Sequence, residues 1–176
     1  MSAALLLIGA PGAGKSSVLE ALGTELELAG VRFGSIESEQ LSLGSPLLRG
    51  EPWYAALRAA LGALRAAGRE LLLVAATTET AADLAAVRDA AGAEVTLVVL
   101  LTVDPVSAAA RVRAREPDSW PGKERLVAHA AELADALEGL PGIDVRVGTA
   151  GRSAVDVGRE VCELMRGRGL IPPAGT

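Results

Sequence analysis

The chain has 176 residues, a formal net charge of −5, and is 50% hydrophobic and 22% charged. That length suits one domain with a sizeable core, and that hydrophobicity excludes a disordered chain. The acidic balance argues against nucleic acid as a partner, and a lone cysteine, Cys162, excludes an internal disulfide scaffold.

The beginning of the chain carries no basic leader, and the longest apolar stretch, residues 95–103, is about half of what a membrane span needs. The expectation is a single cytoplasmic domain over residues 1–176, with no membrane contact. Of 17 basic residues only Lys15 and Lys123 are lysines. Where arginine is the default cation, a retained lysine is a candidate for chemistry that arginine cannot do.

Residues 4–8 are a continuous apolar run, the mark of a strand buried on both faces. Val18, Leu19, Leu22 and Leu26 recur at helical spacing within 15–28, and a short strand follows at 31–36. Pro52 suits the first turn of a helix to about Ala67, with Trp53, Leu57, Leu61 and Leu64 on one stripe. A second buried strand spans 70–76, and Thr80 with Asp83 reads as a capping box opening a helix to Ala91. The third strong strand is 94–102. Asp104 and Pro105 then form an N-cap and first-turn pair for a helix to Arg115. A loop at 116–122 precedes a helix over 123–138 and a strand over 143–147. Ser153 with Asp156 predicts a second capping box and a helix to Arg166, and a glycine- and proline-rich tail from 167 is expected to fray.

Strands and helices alternate, so the fold class is α/β, with a parallel sheet covered by helices on both faces. Ligands in such sheets bind at the carboxyl ends of the strands, which directs attention to the loops there. The first of these reads Gly9-Ala10-Pro11-Gly12-Ala13-Gly14-Lys15-Ser16. It follows a strand and opens a helix, the context that the phosphate-binding pattern G-x-x-x-x-G-K-[ST] requires. Glycines let backbone N–H groups converge on an anion, and the helix N-terminus adds a positive dipole end. Lys15 supplies a compact charge for the terminal phosphates, and Ser16 a hydroxyl for Mg²⁺. Chance matches are expected on the order of 0.003 times in a chain of this composition, so the pattern is read as a nucleoside triphosphate site. The expected phosphate contacts are Gly9, Ala10, Gly12, Ala13, Gly14, Lys15, Ser16 and Ser17.

With this loop at its start and this element order, the chain resembles the P-loop nucleoside/nucleotide-kinase-like group, which includes shikimate, gluconate and adenylylsulfate kinases and chloramphenicol phosphotransferase. The resemblance implies a three-layer α/β/α fold with a five-stranded parallel sheet of order 2-3-1-4-5. It also implies ATP and Mg²⁺ as cofactors, an acceptor site above the second and third strands, and a short arginine-bearing lid at 115–125. No guanine-reading N-K-x-D motif is found and no D-x-x-G follows a strand, which favours ATP over GTP.

Phosphoryl transfer needs positioning, charge neutralisation and a group that orients the acceptor hydroxyl. Glu37-Ser38-Glu39 follows the second strand and looks like a longer-armed version of the group's D-x-D. Glu37, nearest the strand, is preferred over Glu39 as base and metal-side carboxylate, with Ser16 as the other metal ligand. No acid ends the strand 70–76, where Thr77 and Thr78 stand instead; both are read first as the start of the next turn.

Arg111 and Arg115 lie four residues apart on one helix face and are expected to stack on adenine or clamp phosphoryl charge, with a solvated helix face as the competing reading, and Arg113 much less so. Lys123 is a weaker candidate for a lid phosphate contact. Thr149, Gly151 and Arg152 in the last loop are candidates for the adenine edge, with a plain strand-helix connection as the competing reading. The acceptor pocket is assigned to residues 37–57, where Arg49 is either an anion partner or surface, and Trp53 more often core than ligand contact. His129 reads as surface or half-buried, and Cys162 as core. These residues point to a kinase for a small hydroxylated metabolite. An ATP-responsive switch with little turnover is the alternative, and slow hydrolysis for conformational work ranks third.

Overall fold

The computed structural model describes residues 2–173. Five strands, β1 (Ala3–Ile8), β2 (Phe33–Glu37), β3 (Leu71–Ala76), β4 (Val95–Thr102) and β5 (Val145–Gly148), form one sheet in the order β2-β3-β1-β4-β5. All neighbouring pairs are parallel. The helices are α1 (Lys15–Leu28), α2 (Glu51–Ala66), α3 (Ala81–Ala91), α4 (Pro105–Arg115), α5 (Lys123–Ala136) and α6 (Ala154–Gly167).

Every residue of β1 and β3 is buried, as their unbroken apolar runs require of strands covered on both faces. Leu5 of β1 stands opposite Leu73 of β3 on one side and Leu97 of β4 on the other. Right-handed crossovers sort the helices. The step from β1 out to β2 puts α1 on one face, where it packs against α6. The return steps put α2 and α3, which pack together, on the other, along with the paired α4 and α5.

Local chemistry sets the helix starts. Thr80 and Asp83 complete their capping box, and Asp104 Oδ1 accepts from Ser107 N–H at 2.8 Å. Ser153 Oγ accepts from Asp156 N–H at 3.1 Å, but the Asp156 carboxylate takes the Ser153 hydroxyl and not a backbone N–H, so the second expected box is half made. Tyr54 donates its phenol to Asp83 Oδ1 at 2.8 Å, tying α2 to α3. Partial burial and this bond push the phenol up to about 12.

Three differences from the sequence reading bear on the site. The second strand ends at Glu37, so Glu37 belongs to the sheet. Residues Ser38–Ser42 form a 3₁₀ turn that no periodicity announces. The chain past 167 is packed: Leu170 and Ile171 are buried, and Leu170 N–H donates to Met165 O at 2.9 Å. The glycines there supply the turn that lets two apolar residues return to the core. This corrects the expectation of fraying as far as Ile171; residues 174–176 of the expected tail lie outside the described residues. Among the described residues no helix is long and apolar enough to cross a membrane.

Leu170→Ala is therefore expected to lower unfolding stability by about 2–3 kcal/mol in urea titrations, where a frayed residue would change it by less than about 0.5 kcal/mol.

Candidate active site

The loop between β1 and α1 is shaped by two glycines. Gly14 caps α1 with φ 94° and provides no side chain to satisfy the first-turn N–H groups, which stay available to an anion. Gly12 has φ 83°, and a Cβ there would lie 2.6 Å from the Ala108 carbonyl oxygen on α4. Only glycine fits where the loop touches that helix.

Lys15 is 7% exposed. Its Nζ donates to Gly9 O at 2.9 Å, Ala10 O at 3.3 Å and Thr77 Oγ1 at 2.9 Å. Glu39 Oε1 is 3.5 Å away. Burial holds the ammonium below its ordinary value of 10.5 even though Glu39 pulls the other way. The Thr77 hydroxyl also donates to Glu39. Ser16 Oγ donates to Glu37 Oε2 at 3.1 Å. The two glutamates thus divide: Glu37 reaches the loop through Ser16, and Glu39 faces Lys15.

Arg111, on α4, ties two loops together. Its Nη1 donates to Gly12 O and Thr149 Oγ1, both at 3.1 Å, and Nη2 to Thr149 O at 3.2 Å. Thr149 in turn donates to Thr102 O at 3.2 Å, at the end of β4. Arg115 shares the Arg111 face and pairs with Glu116 at 2.7 Å, whereas Arg113 turns to Glu124 at 2.8 Å. Lys123 is buried and donates to Glu116 O at 2.8 Å and Asp118 Oδ1 at 2.6 Å. It fastens the loop 116–122 between α4 and α5 and holds the Asp118 carboxyl below its usual range. Arg152 donates to Gly148 O at 3.2 Å and pairs with Glu160 at 2.6 Å.

A cavity of about 960 Å³ opens along these groups. Its wall includes Gly12 through Ser17, Arg111, Arg115, Thr149 and Arg152. Gly9, Ala10, Gly151 and Glu37 are not on it; Gly9 and Ala10 act on it through Lys15, and Glu37 through Ser16. The lining also includes Glu39, Leu43, Arg49, Glu79 and His129. Trp53 and Tyr54 are off the wall; Trp53 Nε1 donates to Ser38 O at 3.1 Å, and Ser38 Oγ to Ala75 O at 2.9 Å, which pins the 3₁₀ turn to β3. Sequence reasoning undervalued Thr77 and missed Glu79 and His129. For Thr77 the signal was its place one residue past a buried parallel strand; for the other two, none existed in the spacing.

No protein-family model and no curated protein matches the sequence. Solved structures do match. The shikimate kinase of Acinetobacter baumannii in complex with shikimate aligns with a TM-score of 0.61 at 18% identity, over 97% of each chain. A gluconokinase from Sinorhizobium meliloti gives 0.64 at 23%, over 96% of this chain and 94% of the other. The APS kinase of Mycobacterium tuberculosis in complex with AMPPNP and APS gives 0.68 at 21%, over 94% and 98%. The fold is the nucleotide-kinase-like P-loop fold. At these identities the likeness is one of fold, and the chemistry must be argued from the side chains.

The residues also fit a magnesium ion. Among the described residues no cluster of three His, Cys, Asp or Glu side chains could hold a metal alone. Mg²⁺ needs few protein ligands when phosphates supply the rest, and the Ser16 hydroxyl backed by the Glu37 carboxylate offers hard oxygen donors at the loop.

Two outcomes follow from the buried lysine. A lysine with a lowered folded-state pKa binds fewer protons folded than unfolded, so stability rises with pH from that lowered value up to about 10.5. Lys15→Met is expected to lose this rise and to unfold at higher urea, while nucleotide affinity measured by calorimetry falls about 10- to 100-fold. Arg111→Ala is expected to weaken the same affinity about tenfold, and Arg113→Ala to leave it within about twofold.

Proposed function

We propose that the protein is an ATP-dependent phosphotransferase that moves the γ-phosphoryl group of Mg·ATP to a hydroxyl of a small metabolite. The observation that carries this reading is the continuity of one cavity. It runs from the phosphate loop to groups on the segments that follow β2 and β3, Glu39, Leu43, Arg49, Thr77 and Glu79, which a nucleotide alone does not need.

The roles are distributed as follows. First-turn N–H groups of α1 hold the phosphates. Lys15 exchanges its bonds to the Gly9 and Ala10 carbonyls for bonds to phosphate oxygens. Ser16 and Glu37 hold Mg²⁺, which when bound offsets charge on the phosphate oxygens. Glu39, 49% exposed at its side chain and facing Lys15, orients the acceptor hydroxyl and takes its proton. The acceptor oxygen bonds to the γ-phosphorus as the bond to the β–γ bridging oxygen breaks, and ADP leaves. Arg111 and Arg115 stabilise the charge on the equatorial oxygens during transfer.

The test is ADP release from Mg·ATP with a fractionated bacterial metabolite extract. One fraction is expected to stimulate release, Lys15→Ala to abolish the response, and Glu39→Gln to cut it about 100-fold or more with ATP affinity retained. Intact ATP binding with no stimulation by any fraction would favour the nucleotide-switch reading instead.

A further inference from the structure

The groups discussed so far leave one polar pair on the cavity wall without a role. His129 Nε2 on α5 lies 3.2 Å from Glu79 Oε1 in the loop between β3 and α3. Both residues line the cavity that contains Lys15 and Glu39. Neither is buried: the side chains are 37% and 58% exposed, so the pair meets whatever enters. Resting on the phosphotransferase reading, we infer that His129, oriented by Glu79, is the acceptor-specificity contact of this site.

The position follows from chain reach. Thr77 Oγ1 is 2.9 Å from Lys15 Nζ, and Glu79 is two residues further on. Two extended residues span at most about 7 Å, so the Glu79 backbone stays close to the threonine that touches Lys15, and both Glu79 and His129 line the same cavity as the lysine. Glu79 follows β3, on the opposite side of β1 from β5, the strand that precedes Thr149 and Arg152, and His129 reaches it from α5 in the β4–β5 connection.

The chemistry follows from the pairing. A carboxylate on one imidazole nitrogen fixes the ring plane and leaves the other nitrogen to bond a ligand. Leu126, one helical turn before His129, and Leu43 from the loop after β2 are apolar parts of the same wall. The acceptor class that suits this wall is a compact hydroxylated compound with an apolar face and a second polar group. The reacting hydroxyl goes to Glu39 and the second polar group to His129.

His129 is the only histidine in the chain, so its ring gives a single assignable NMR signal in the full-length protein. That signal, in protein labelled at histidine and held with Mg·AMPPNP, is followed as the stimulating metabolite fraction is added. The expected result is a shift on adding the fraction and a much smaller one on adding Mg·AMPPNP alone. In kinetics with the same fraction, His129→Gln and Glu79→Gln should each raise the acceptor KM about tenfold, with the ATP KM within about twofold. A stimulating fraction that leaves the histidine signal still, or variants that raise both KM values alike, would overturn this inference and leave the phosphotransferase intact. If no fraction stimulates ADP release, both readings fall together.

Discussion

Lys15 brings an ammonium group to the end of the central strand and leaves almost none of it in water. Burying such a charge is costly, and the structure offsets the cost only in part, with two backbone carbonyls, a threonine hydroxyl and one half-exposed carboxylate. Those carbonyls belong to the loop itself, so the lysine also fixes the loop's curve. Much else in the site answers to this placement. Gly12 must be bare where the loop touches α4, and Arg111 takes the Gly12 carbonyl that the loop turns outward.

The sheet makes the placement possible. A lysine at the tip of an edge strand would be solvated from the side, whereas β1 is flanked on both sides and covered above and below. Parallel pairing also brings the carboxyl ends of all five strands to one rim. Loops distant in sequence then meet there without long detours. Thr102, Thr149, Arg111 and Gly12 join in one hydrogen-bonded set from four separate segments.

Much of this was legible in the sequence. The buried strands were visible because a strand covered on both faces must be apolar throughout, and helix starts because Thr80 and Asp104 state their caps locally. The phosphate loop was legible because its chemistry is compressed into eight consecutive residues. Arg111 and Arg115 were separable from Arg113 by helical spacing alone. The rest depends on meetings between segments. Glu39 is distinguished from Glu37 only by a 3₁₀ turn held by Ser38 and Trp53. His129 and Glu79 lie 50 positions apart and have no shared period. The docking of Leu170 and Ile171 was hidden by glycines and prolines that composition alone reads as loose chain.

The anchoring of the segment between β2 and α2 has a bearing on how such a molecule changes over time. Ser38 and Trp53 fix one end to β3, and Tyr54 fixes the other to the capped start of α3. Between these moorings Leu43, Leu47 and Leu48 are exposed and carry none of the core. Residues 43–49 can therefore be exchanged while the sheet, the loop after β1 and the loop 116–122 keep their geometry. The segment behaves as a cartridge clipped into a fixed engine, and its sequence is free to vary at little cost to the core.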